Sequence, residues 1–147
     1  MQPSPSPPAT EKVVVLVDDE VAYLELFTQL LGGLMSCSVR GFTHPQEALN
    51  ALPGLNVGIV LTDYRMPGMN GFEFITEVQK ISPEIPVLLI TGQAAILSDE
   101  QLQGYPALRG VIGKPFKWNA LTEEIAKHWA GGPRQQPTNS APSAGNL

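Results

Sequence analysis

The sequence predicts a doubly wound α/β domain, a five-stranded parallel sheet in the order 2-1-3-4-5 with helices on both faces. Two observations predict it. Short apolar runs alternate with segments of helical period along the middle of the chain, the pattern of repeated strand-helix units joined by right-handed crossovers. Four of the runs also end on a polar residue suited to phosphate or metal: Val13 to Val17 before Asp18 and Asp19, Val57 to Leu61 before Thr62 and Asp63, Ile85 to Ile90 before Thr91, and Val111 to Gly113 before Lys114. Ligand sites in open parallel sheets lie outside the carboxyl ends of the strands, so this strand order gathers those residues at one edge.

The first strand, Val13 to Val17, is continuous and β-branched, as a strand covered on both faces requires. Asp18, Asp19 and Glu20 open a helix in which Val21, Leu24, Phe27, Leu30 and Leu31 share a face, with Gly32 and Gly33 as its stop. A weaker strand follows at Ser36 to Arg40, and Thr43, His44 and Pro45 start a helix over Gln46 to Leu52. The third strand ends at Asp63, and the loop from Met66 to Gly71 leads into a helix carrying Phe72, Ile75, Val78 and Ile81 before Pro83.

The fourth strand, Val87 to Ile90, gives way to Thr91 and Gly92. Ser98 with Gln101 forms a capping box, but Gly104, Tyr105 and Pro106 follow at once, which predicts a short or irregular fourth helix. A fifth strand, Gly110 to Gly113, precedes Lys114 and Pro115. The last helix aligns Trp118, Leu121, Ile125 and Trp129 and stops at Gly131, Gly132 and Pro133.

Composition bounds the domain. Residues 1–11 and 131–147 are rich in Pro, Ser, Gly and Gln and lack apolar periodicity, so they read as disordered tails around one folded domain at 12–130. The net charge of −5 disfavours direct binding to nucleic acid or an anionic membrane. Apolar runs of about six residues are too short to span a bilayer, and the N-terminus lacks the regions of a signal peptide. With Cys37 as the single cysteine, expected as a small apolar residue on a strand, the cytoplasm is the expected compartment.

The chemistry of the edge follows from its residue types. Asp18, Asp19 and Asp63 packed together repel one another unless a cation intervenes. An all-oxygen set of a few carboxylates suits Mg²⁺, which keeps several waters and binds phosphate as well. A carboxylate can act as nucleophile and form an aspartyl phosphate. The metal and an ammonium then neutralise the phosphoryl oxygens while a hydroxyl donates to them. Asp63, the metal with Asp18 and Asp19, Lys114 and Thr91 fill those places. Taken singly, each has a structural explanation in helix dipoles, caps or solvation; it is their register at neighbouring strand ends that points to one site. His44 and His128 lack metal-ligand spacing to another His or Cys and are expected at a helix start and near a helix end. Trp118 and Trp129 are expected as core or rim residues.

Asp18 and Asp19, Asp63 followed by Met66, Pro67, Gly68 and Gly71, then Thr91 with Gly92, then Lys114, Pro115 and Phe116 resemble the receiver domain of two-component response regulators. The resemblance spans 12–130 and implies the flavodoxin-like (βα)5 fold. It implies that Asp63 accepts a phosphoryl group from a histidine kinase or histidine phosphotransfer protein in a Mg²⁺-dependent reaction. It makes Asp19 a direct metal ligand, Asp18 an acid acting mainly through water, and the backbone carbonyl of Arg65 the third protein ligand. Thr91 and Lys114 become contacts of the phosphoryl oxygens, and the Lys114–Pro115 bond is commonly cis in the family. No separate enzymatic activity beyond self-phosphorylation and autodephosphorylation is implied.

One departure stands out. The family often has Tyr or Phe three residues before the lysine, and here Val111 occupies that place, so a switch that buries an aromatic ring there does not carry over. Arg65 and Gln93 sit where the family tunes hydrolysis of the aspartyl phosphate. Two other classes are weighed. An aspartyl-phosphate phosphohydrolase usually places a second acid two residues after the nucleophile, where this chain has Arg65. An FMN carrier cradles phosphate in a Ser-, Thr- and Gly-rich first loop, whereas Asp18, Asp19 and Glu20 would repel it. A stand-alone regulator, a phosphate sink and a receiver fragment of a hybrid kinase share the same chemistry and stay open.

Overall fold

The computed structural model describes residues 12–92 and 97–129. The expected tails, Ala130 and Gln93 lie outside the described residues. Five parallel strands, β1 (Val13–Val17), β2 (Ser38–Phe42), β3 (Val57–Asp63), β4 (Val87–Thr91) and β5 (Leu108–Gly113), form one sheet in the order β2-β1-β3-β4-β5. The helices between and after them are α1 (Val21–Met35), α2 (Pro45–Ala51), α3 (Gly71–Ile81), α4 (Asp99–Gln103) and α5 (Trp118–His128). Fold class and strand order are those predicted.

All five residues of β1 and of β4 are buried, because the sheet is covered on both sides and neither set of alternating side chains reaches water. Val13, Val15, Val17, Val60 and Leu89 pack on one face with Leu49 of α2, Phe74 and Ile75 of α3 and Leu102 of α4. Val14, Leu16, Ile59, Leu61 and Leu88 pack on the other with Phe27 and Leu31 of α1 and Leu121 and Ile125 of α5. The period of two along each strand thus separates two cores with one chain.

Several expected boundaries move. Gly32 and Gly33 do not stop α1; it runs on to Met35 and ends at Ser36, whose backbone is left-handed at φ 51°. Each glycine costs about 1 kcal/mol relative to alanine in a helix, but another turn buries Met35 completely, and burying a Met side chain contributes about 1.5 to 3 kcal/mol. The longer helix shifts β2 from the expected Ser36–Arg40 to Ser38–Phe42 and leaves Cys37 in the connecting bend rather than on a strand. Val21 and Ile81, expected on buried helix faces, are exposed, whereas Phe74 is fully buried.

The second helix starts at Pro45 rather than Gln46 and yields at Ala51 to a 3-10 turn over Leu52–Gly54. β4 includes Thr91, and β5 begins at Leu108 rather than Gly110 because Val87 already pairs with Leu108. His44 is the N-cap residue of α2 but makes no side-chain cap; its ring meets the Thr43 hydroxyl at 3.0 Å instead. The short fourth helix has the predicted box, with the Ser98 hydroxyl accepting from the Gln101 amide and Gln101 accepting from the Ser98 amide.

Gly58 occupies an irregularity in β3. The β1 to β3 register passes from Val13 opposite Val57 to Val14 opposite Ile59, skipping Gly58. The indole of Trp129 lies directly over it, so that a Cβ there would sit 2.2 to 2.5 Å from three ring atoms. Trp129 is buried as expected, and Trp118 is half-buried with its ring on Phe27.

Candidate functional site

The carboxyl ends of β1, β3, β4 and β5 carry the site. Val17 pairs with Thr62, Asp63 with Ile90, and Thr91 with Gly113, so the residues at or just past these ends are one strand spacing apart. The structure brings the three predicted acids together: one carboxylate oxygen from each of Asp18, Asp19 and Asp63 lies within 4.8 Å of the others. Lys114 Nζ stands 3.4 Å from Asp63 Oδ2. Thr91 is buried at the end of β4, and its carbonyl accepts the Lys114 amide at 2.9 Å, which ties the lysine loop to that strand end. The Lys114–Pro115 bond is cis. Arg65 is exposed, two residues past Asp63.

The acids differ in setting. Asp18 is 4% exposed while Asp19 is exposed. Burial pushes the Asp18 carboxyl above its ordinary value, a hydrogen bond from the Glu20 amide opposes this, Asp63 and Asp19 add to the rise, and Lys114 counters it. That Glu20 amide donates to Asp18 Oδ1 at 2.9 Å and fixes the carboxylate at the start of α1. Asp63 is held from two sides, with the Tyr64 amide donating to Oδ1 at 2.7 Å and Lys114 facing Oδ2. Three oxygen donors of like charge, with one cation beside them, form the donor set of a hard divalent ion and fit Mg²⁺.

The loop after Asp63 is built to hold this geometry. Gly68 takes a positive φ of 81°, a region open to glycine without steric cost. Asn70 caps α3 reciprocally with Glu73, through bonds of 2.9 and 2.8 Å. The Gly71 amide donates to the Tyr64 carbonyl at 2.7 Å, and a Cβ at Gly71 would meet Leu89 at 2.7 Å and the Asp63 carbonyl at 3.1 Å. Glycine is therefore required where the loop returns against the strand.

Two contacts were not legible in the residue pattern. Tyr23, in the first turn of α1, places its ring centroid 4.8 Å from Lys114 Nζ; its position four residues after Asp19 is the one available signal. Burial raises the Tyr23 hydroxyl above its ordinary value, against the pull of Lys114. The second contact concerns Val111, which is half-buried and packs in the core on the α3 side. In that same core Phe72 stacks on Tyr105 at 4.7 Å with planes 4° apart, and meets the edge of Tyr64 at 5.4 Å. Aromatic rings are therefore present in the core that holds Val111, supplied from other positions than 111.

The chain matches the response regulator receiver domain over residues 14–126. It is 40% identical over 83 residues to the phosphoglycerate transport system transcriptional regulatory protein PgtA of Salmonella typhimurium, a match covering 56% of this chain and 20% of that protein. It is 30% identical over 116 residues to the transcriptional regulatory protein FixJ of Bradyrhizobium diazoefficiens, covering 79% of this chain and 56% of FixJ. The chain thus spans from about a fifth to little over half of these relatives. The response regulator protein TrrA of Thermotoga maritima, solved in complex with Mg²⁺ and BeF, superimposes with a TM-score of 0.71 at 26% identity, over 80% of this chain and 98% of that one. A matched family spanning most of the described fold, a parallel sheet of the same strand order and an acidic cluster at its carboxyl edge agree: the chain belongs to the receiver domains of two-component response regulators.

Proposed function

We propose that Asp63 is the phosphoacceptor of this receiver, taking a phosphoryl group from a sensor histidine kinase or a histidine phosphotransfer protein. The observation that carries this reading is the juxtaposition of Asp63 with two further carboxylates within 4.8 Å and with the Lys114 ammonium at 3.4 Å. An Asp63 carboxylate oxygen attacks phosphorus; an O–P bond forms as the N–P bond of the donor phosphohistidine breaks, and the imidazole leaves with the bonding pair. Lys114 neutralises charge on the phosphoryl oxygens, and the Thr91 hydroxyl donates to one of them.

Receiver domains typically bind Mg²⁺. In this reading Asp19 and Asp63 ligate it directly, Asp18 acts mainly through water, and the Arg65 carbonyl completes the protein ligands. When bound, the ion offsets the negative charge gathered on the acids and the phosphoryl group. A protein donor is supported by exposed apolar surface beside the site, where Val21 and Leu26 of α1 are 56% and 49% exposed. The folded unit is taken as 12–130, acting in the cytoplasm, with the signal leaving through a protein target rather than by direct contact with nucleic acid or membrane. Among the described residues no helix is long and apolar enough to cross a membrane.

Incubation with acetyl phosphate and Mg²⁺ tests the reading. The chain should gain one acid-stable, base-labile phosphoryl group, and Asp63→Asn should abolish it. Continuous turnover of external phosphate esters would replace this reading with a phosphohydrolase; absence of any label on the wild type would refute it.

A further inference from the structure

We infer that Tyr23 is a positioning residue for phosphoryl transfer, its ring face holding the Lys114 ammonium above Asp63. The inference rests on the role proposed for Lys114 and adds a residue that the motif does not contain.

Three contacts converge on the lysine. Its Nζ is 3.4 Å from Asp63 Oδ2 and 4.8 Å from the Tyr23 ring centroid, while its amide is fixed by the Thr91 carbonyl at 2.9 Å. The 3.4 Å separation is long for a charge-assisted hydrogen bond, so the carboxylate alone does not set where the ammonium sits. A flexible four-carbon stem carries about 2 kcal/mol of rotamer entropy, and this side chain remains 30% exposed. An ammonium within about 6 Å of an aromatic centroid is attracted by the ring quadrupole. The Tyr23 face therefore provides the second restraint that the chain needs.

The ring is itself held. Phe27, one helical turn on and fully buried, meets Tyr23 edge-to-face at 5.4 Å and 78°. Phe27 in turn packs against Trp118 at 4.9 Å and Phe116 at 5.8 Å, and those two meet at 5.2 Å. The loop after Lys114 and the first turn of α5 thus pack against α1 through these rings. Tyr23, half-buried, is the member of this aromatic cluster whose ring face lies against the lysine. With the ammonium placed before the donor arrives, less of the cost of ordering Lys114 falls within the transfer step.

The test uses the full chain with Tyr23→Phe, which keeps the ring, and Tyr23→Leu, which removes it. Phosphorylation by acetyl phosphate with Mg²⁺ is expected to slow roughly 2- to 30-fold in Tyr23→Leu, the range a cation–π contact supplies, and to stay within about twofold of wild type in Tyr23→Phe. In a Lys114→Ala background, Tyr23→Leu should have no further effect, since the two side chains act as one unit. Independently of any phosphorylation, the Lys114 ε-methylene protons should resonate upfield in wild type and Tyr23→Phe. Equal rates in wild type and Tyr23→Leu, equal losses in both Tyr23 variants, additive losses with Lys114→Ala, or unshifted lysine resonances in wild type would each overturn the inference. A wild-type chain that takes no phosphoryl group but shows the upfield lysine refutes the proposed function while leaving the Tyr23 contact intact.

Discussion

Asp18→Asn should stabilise the metal-free protein, although it removes a carboxylate from the centre of the site. The three carboxylate oxygens lie within 4.8 Å of one another, and at that outer distance two unit charges repel by ~0.9 kcal/mol with a dielectric of ~80 and ~3.5 kcal/mol with ~20. Asp18 faces two such neighbours. Asp19 is exposed, so its pair belongs near the lower figure. Lost attraction to Lys114 offsets part of the gain, while the asparagine oxygen can still accept the Glu20 amide that now binds Asp18 at 2.9 Å. The net is an increase of ~1 to 3 kcal/mol, or ~3 to 10 °C in Tm for a domain of this size.

The pH dependence has a definite sign. A carboxyl whose folded-state pKa is raised holds its proton more tightly in the native state, so its ionisation costs stability. The penalty is absent below the ordinary value of 3.8, grows as the pH rises from there through the raised pKa, and is complete above it. Urea or thermal unfolding in EDTA at pH 7 and at pH 3 measures it: Asp18→Asn should be the more stable at pH 7 and lose its advantage at pH 3. Adding Mg²⁺ should stabilise the wild type and narrow the difference. An unchanged or lower Tm at pH 7 in EDTA, or the same advantage at both pH values, would refute the reasoning.

Two further outcomes are expected. Gly58→Ala should lower stability by about 1 to 3 kcal/mol, because the new methyl lies 2.2 Å from Trp129 Cε2; thermal melts check this, and combining it with Trp129→Leu should recover part of the loss. Arg65→Asn should change the lifetime of the aspartyl phosphate under the hypothesis that the long, exposed cation two residues past Asp63 alters water access to the phosphoryl group; equal lifetimes measured after removal of donor would dismiss that role.

What was legible in the chain was legible for a physical reason. β1 and β4 are covered on both faces, so they must be continuous apolar runs, and a polar residue at the end of such a run has one place to go. That makes Asp18, Asp63 and Thr91 readable as an edge before any coordinates exist. Helix ends were less readable: Gly32 and Gly33 are stop signals locally, but α1 passes through them because Met35 is buried against the sheet. Local propensity of a kilocalorie or so yields to tertiary burial of similar or larger size.

The sequence by itself determined the fold class, the strand order and the set of residues at the carboxyl edge, because periodicity and strand-end chemistry are local properties of the chain. The tertiary structure alone decided that Tyr23 covers Lys114, that Trp129 seals Gly58, and that Phe72 and Tyr105 stack in the core where Val111 brings no ring. Those contacts join residues far apart in the chain whose meeting depends on how helices lie on the sheet, and a pattern of spacings carries no information about that.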